Sequence, residues 1–179
     1  MLVLMFFISS ILLLNPLQML MPVFAKDILK VGVEGQGTLM SLMGTGSIVI
    51  AFLLASLPSR KRGFTLLASN IVMGVAMATF AFSDKWPLSM AMMIFIGIGR
   101  MGADACGSAL LQTHTEASLL GRVNSLIMLS FGMGGLGTFF IGILAETISA
   151  PWALGGFATL LITVSISAIV FLPRLRKLD

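Results

Sequence analysis

Arg100 and Asp104 stand four residues apart in the middle of a long apolar run, and Ser108 and Gln112 continue the same spacing. On an α-helix, residues four apart share a face, so these side chains form one polar stripe. In hydrocarbon an ionisable side chain at mid-depth costs about 2.5 to 3.5 kcal/mol even on the lenient insertion scale, so each demands a reason. Two chemistries fit. Along a water-filled pathway, Arg100 binds an anionic group and Asp104 carries a proton. Between packed helices, the two neutralise each other and fix the register of the bundle without touching a solute.

Asn15-Pro16-Leu17-Gln18 supplies a matching feature in the first apolar run. Pro16 removes a backbone donor and crowds the preceding turn, which frees a carbonyl that must face protein or water. Interruptions at corresponding places in two halves of a membrane bundle point to a midplane site. A plain packing kink is the alternative reading. The candidate solute-pathway residues are therefore Asn15, Gln18, Arg100, Asp104 and Ser108.

The remaining motifs carry less. Gly97, Gly99 and Gly102, and again Gly132, Gly134 and Gly137, match the dinucleotide fingerprint, but neither set opens a helix after a strand, as the fingerprint requires. Gly99, Ala103 and Gly107, like Gly134, Thr138 and Gly142, are small residues four apart that let helix backbones approach. His114 is the single histidine and Cys106 the single cysteine, so a disulfide within the chain and a His/Cys metal cluster are both excluded. Ser108 with His114 and Glu116 resembles an intramembrane hydrolase only loosely, because no nucleophile motif surrounds the serine. No catalytic residue, cofactor or metal is expected.

The elements that must position the stripe follow from composition. Hydrophobic residues make up 58% of the chain and charged ones 10%, against roughly 25% charged in soluble domains. A hydrocarbon core of ~30 Å needs about 20 helical residues. Six apolar runs approach that length, at about 2–24, 38–57, 64–82, 87–111, 123–148 and 152–172. The expected fold is an all-α membrane bundle of six transmembrane helices. Short links such as Pro58–Gly63 and Ser83–Trp86 force neighbouring runs to be antiparallel.

Charge sets the orientation. Arg60, Lys61, Arg62, Arg122, Arg174, Arg176 and Lys177 fall on one side, and Lys26, Lys30 and Lys85 on the other. Seven against three places the first side, with both termini, in the cytoplasm. The net charge of +4 thus reports membrane orientation, and nucleic acid is not an expected partner. Val23-Phe24-Ala25 has the small-residue spacing of a signal-peptidase site. Nothing basic precedes its apolar run, however, which is also longer than a signal core.

Three stretches carry a family resemblance. Leu110-Leu111-Gln112-Thr113 through Gly121-Arg122-Val123-Asn124-Ser125-Leu126 resembles the loop between helices ten and eleven of exporters of the major facilitator superfamily. Gly44-Thr45-Gly46 with Leu53 to Gly63 is similar to that family's glycine-bearing helix eight and the basic loop after it. Met21-Pro22-Val23-Phe24-Ala25 is similar to the end of its helix seven. Nearly the whole chain resembles the C-terminal six helices, in the bacterial branch that includes the enterobactin exporter. The acidic residue that accompanies the family's basic loop cluster is missing from Leu54 to Gly63.

The resemblance implies two three-helix repeats forming half of the superfamily fold, with Asn15, Gln18, Arg100 and Asp104 beside the substrate. It further implies a bacterial inner-membrane location, lipid and a small-molecule solute as partners, and a proton gradient as the source of energy. The family has twelve helices, so this chain is expected to form half of a drug or siderophore-like exporter. A second six-helix half, as another copy or a separate chain, would close its cavity. The alternative is a truncated or split-gene membrane subunit with a pairing role and no transport of its own.

Overall fold

The computed structural model describes residues 15–56, 62–113 and 120–171. Within them lie six α-helices: α1 Asn15–Val23, α2 Gly32–Ser56, α3 Arg62–Ala81, α4 Trp86–Thr113, α5 Leu120–Ile148 and α6 Ala150–Phe171. There is no strand among the described residues. The described parts of α2, α3, α4 and α6 are long and apolar enough to cross a membrane. At ~1.5 Å per residue, α5 with its 29 residues also exceeds the thickness of the hydrocarbon core.

Helix ends follow local chemistry. Pro87 and Pro151 sit in the first turns of α4 and α6, where a missing N–H has no intrahelical carbonyl to serve. In the α3–α4 link the Lys85 N–H donates to Ser83 Oγ at 3.4 Å, and Ser89 Oγ donates to the same oxygen at 3.3 Å. Helix α2 begins at Gly32, ahead of the apolar run at Thr38. Its first turn is too polar for a hydropathy count to find, yet it is helical: Gly32 takes a φ of 67° and Glu34 complements the positive helix end. A π-helical turn, Phe24–Ile28, extends α1, so the expected long link from Ala25 to Gly37 shrinks to residues 29–31.

The closely packed pairs are α3 with α4, α2 with α4, and α3 with α6. Helix α5 packs on α6 and on α1, α1 packs less on α6 and α2, and α4 touches α5. Exchanging α1 with α4, α2 with α5 and α3 with α6 carries these pairs, α5–α6 apart, onto one another. The α2–α4 pairing becomes α5–α1, α3–α4 becomes α6–α1, α1–α2 becomes α4–α5, and α3–α6 maps onto itself. Two three-helix repeats thus build the bundle, as expected for half of a transporter fold.

Among the described residues one buried cluster joins all six helices. The buried core joins Leu17, Leu20, Met21 and Phe24 of α1 and its extension to Leu39 of α2, Met73–Ala81 of α3, Met93 and Ile96 of α4, Ile141 of α5 and Leu154 of α6. All lie toward the end that carries the links at 29–31, 82–85 and Ser149. Phe82 and Trp152 form an edge-to-face pair at 5.3 Å at this end, where Trp86 also starts α4, as an aromatic belt at an interface would. Toward the opposite, basic end α3 and α4 stay packed through Leu67, Ser69, Asn70, Ala103, Cys106 and Leu110. Of the side chains described on α5, Gly121, Asn124, Ser125, Met128 and Leu129 are exposed and Ile141 is wholly buried.

The outer surface is apolar. Phe52, Leu53, Val72, Phe95, Phe139, Phe140 and Ile166 are all exposed. In water such a surface would drive aggregation, whereas lipid is its ordinary solvent.

Candidate solute pathway

Helix α4 runs unbroken through the polar stripe. Arg100 lies 14 residues after Trp86, about 21 Å along the axis at ~1.5 Å per residue, near the middle of the span. One face of α4 carries Met93, Ile96, Arg100, Asp104, Gly107 and Leu111, spaced by three or four residues. Met93 and Ile96 are 0% exposed in the core, whereas Arg100 and Asp104 are half-buried. On this face the half-buried charged pair lies between buried Met93 and Ile96 on one side and buried Gly107 and Leu111 on the other.

Ser108 is half-buried on the same side, but its hydroxyl turns back on its own helix. It donates to the carbonyl of Asp104 at 2.7 Å and of Ala105 at 3.2 Å. Its proton is thus engaged by backbone, and what remains for a solute is acceptor capacity. His114 and Glu116, the other members of the loose hydrolase pattern, lie outside the described residues.

On α1, Leu17, Leu20, Met21 and Phe24 form the buried stripe, and Gln18 lies on the exposed side with Pro22. Pro22 has no N–H, so the Gln18 carbonyl lacks its ordinary donor four residues on. Asn15 and Pro16 are helical, but their side chains and the preceding residues 1–14 lie outside what is described. The interruption visible in α1 is at Pro22 and the π-helical turn that follows. There the Leu29 N–H bonds to the Phe24 carbonyl and the Val31 N–H to that of Ala25, both at 2.8 Å. Helices α1 and α4 are not among the closely packed pairs, and no hydrogen bond joins Gln18 to Arg100 or Asp104.

The glycines of α4 explain how the stripe is held. A Cβ on Gly97 would strike the Met43 carbonyl oxygen of α2, and one on Gly46 would strike the Ile94 carbonyl of α4. Backbones touch there, and Ser47 Oγ donates across the seam to the Gly97 carbonyl at 3.2 Å. Gly99 faces α3, where an added Cβ would lie 2.6 Å from the Ser69 carbonyl, and Gly102 faces the Ser69 hydroxyl. The apparent dinucleotide fingerprint at Gly97, Gly99 and Gly102 is thus two helix seams read in one line.

Ser47, Ser69 and Asn70 were not among the candidates. Ser69 and Asn70 are buried where α3 meets α4. Their signal was the one that found Arg100, a polar side chain inside an apolar run, at lower cost because neither is charged.

The sequence profile of the Major Facilitator Superfamily matches residues 2–179. The chain belongs to this superfamily. Over 120 residues it is 30% identical to the protein named multidrug efflux pump Tap from Mycolicibacterium fortuitum, a match covering 66% of this chain. The chain spans 29% of that relative's length. No solved structure matches it. As a superfamily member the protein is a membrane protein of a transport family.

Proposed function

We propose that this six-helix unit forms one wall of the solute pathway in a secondary-active exporter of small organic molecules, and that a second six-helix unit forms the other. The observation that carries the reading is the face of α4, where Arg100 and Asp104 sit half-buried at mid-span directly after Met93 and Ile96, which are sealed in the core. Charge at that depth is stable only against water or a polar partner.

The excess of Lys and Arg puts the basic end, and both termini, in the cytoplasm of a bacterium whose plasma membrane holds the protein. Met93 and Ile96 then lie on the outer side of the charged pair, and Gly107 and Leu111 on its inner side. Arg100 recognises an anionic or strongly polar group of the solute, and Asp104 exchanges a proton as access alternates between the two sides. The drug and siderophore-like solute class draws support from the resemblance to the branch with the enterobactin exporter and from the relative's name.

The test is ethidium accumulation in bacteria depleted of their own exporters. Cells expressing the chain with whatever partner it recruits should hold less dye, and Arg100→Met or Asp104→Asn should abolish the difference at equal membrane abundance. A cysteine at exposed Gln18, in a Cys106→Ser background, should crosslink to a second chain in native membranes. Dye export by a chain that stays monomeric would defeat the shared-cavity proposal. Unchanged export in both charge variants would defeat the site.

A further inference from the structure

We infer that α1 carries an acceptor subsite for the nitrogen end of the solute: the backbone carbonyl of Gln18, deprived of its helical donor by Pro22, acting with the side-chain amide of the same residue. The ligand class is an amine, an aryl amine or an ammonium group, any nitrogen that brings an N–H. The inference rests on the solute-pathway reading and deepens it.

Pro87 and Pro151 stand in the first turns of their helices, where no carbonyl waits for an N–H. Pro22 stands inside α1. Its ring nitrogen has no hydrogen to give, so the carbonyl four residues back keeps its acceptor capacity. The backbone beyond the proline serves other carbonyls: the Leu29 N–H bonds to that of Phe24 and the Val31 N–H to that of Ala25, both at 2.8 Å. Depth then decides what Gln18 can face. It precedes Lys26 by eight residues, about 12 Å along the axis at ~1.5 Å per residue. Lys26 and Asp27 are exposed charges that mark the interface, so Gln18 lies within the hydrocarbon level.

At that level a carbonyl without its donor does not face lipid; such backbone is buried in protein or lines a water-filled cavity. Within this chain it is not buried. Leu17, Leu20, Met21 and Phe24 form the buried face of α1, whereas Gln18 and Pro22 are exposed together one turn apart. Among the described residues no hydrogen bond engages the Gln18 amide either. A backbone carbonyl and a glutamine oxygen accept two hydrogen bonds each, and neither is charged. They therefore select N–H donors, and a cationic donor gains most because hydrogen bonds to charged groups are the stronger kind. Arg100 has donors alone, so Gln18 supplies the acceptors that Arg100 cannot.

The experiment measures equilibrium binding of two lipophilic cations to the full chain in washed membranes from bacteria depleted of their own exporters. Ethidium carries aryl amine N–H groups, and tetraphenylphosphonium carries none. Pro22→Ala returns an N–H to the Gln18 carbonyl and should weaken ethidium binding about 3- to 10-fold, the range of one hydrogen bond, with tetraphenylphosphonium unchanged. Lactic acid in place of Pro22, introduced by nonsense suppression, has neither ring nor N–H and should bind ethidium as the unaltered protein does. Equal losses in the two variants would trace the effect to the bend of the ring and overturn the subsite, as would ethidium binding that Pro22→Ala leaves intact. A second measurement needs no solute. In a Cys106→Ser background, Gln18→Cys should be labelled by a water-soluble methanethiosulfonate, which reacts with a hydrated thiolate, while Val72→Cys at an exposed position of α3 stays unlabelled. An unlabelled Gln18→Cys would set this face against lipid and end the inference whether or not the protein exports. Labelling together with binding of neither cation would instead defeat the export reading, and the subsite with it.

Discussion

Replacing Gly97 with alanine tests the α2–α4 seam, and through it the platform on which the Arg100 face rests. The added methyl would meet the Met43 carbonyl, whose carbon would be 2.9 Å away and the Ser47 nitrogen 3.1 Å. Neither is a side-chain tip that can rotate aside, so the helices must part. Overpacking of this kind costs about 1 to 3 kcal/mol. Parting also stretches the Ser47–Gly97 hydrogen bond, worth about 0.6 kcal/mol on average between membrane helices. Against this, alanine gains about 1 kcal/mol over glycine in helix propensity. The expected net loss is about 1 to 2.5 kcal/mol, the upper part favoured because the obstacle is backbone. Gly44→Ala and Gly135→Ala are the controls, since nothing lies within 4 Å of a Cβ at either position. They should be neutral or more stable by about 0.5 to 1 kcal/mol. Unfolding by SDS in maltoside micelles, followed by far-ultraviolet circular dichroism, reads all three. A Gly97→Ala midpoint equal to that of Gly44→Ala would show that the backbones do not touch where the structure places them.

Three further outcomes are expected. Asp104→Asn alone should lower export or folded yield by leaving Arg100 uncompensated, a loss of up to about 3 to 5 kcal/mol in a fully buried pair and less for this half-buried one. Should the double change Arg100→Met with Asp104→Leu retain full export, the pair would be structural and the pathway assignment wrong. Phe24→Ala should destabilise by about 3 to 5 kcal/mol, because Phe24 is wholly buried 5.0 Å from the Phe80 ring, whereas Phe52→Ala on the lipid face should change little in the same SDS assay. For topology, a reporter at Asp84 in the α3–α4 link should read outside and one at Ser59 inside. The reverse at both sites would invert the proposed orientation.

The sequence by itself determined the class of the molecule and the location of its chemistry along the chain. Apolar runs near 20 residues and a 10% charge content admit little besides a helical membrane bundle, because backbone groups in lipid must bond within their own segment. The cost of charge in hydrocarbon singled out Arg100 and Asp104 without any knowledge of their neighbours. Hydropathy could not reveal the polar first turn of α2 at Gly32–Glu34, the π-helical turn after Pro22, or the direction in which the Ser108 hydroxyl points. These depend on backbone hydrogen bonds, to which a transfer scale is blind. Tertiary structure alone decided which partner each glycine serves, with Gly97 on α2, Gly99 on α3, Gly74 on α6 and Gly142 on α1. A missing side chain advertises close approach but carries no address. Only the packed chain also showed that Arg100 and Asp104 stand half-buried between buried neighbours on either side along α4. That placement depends on which faces of six helices meet, and no single helix encodes it.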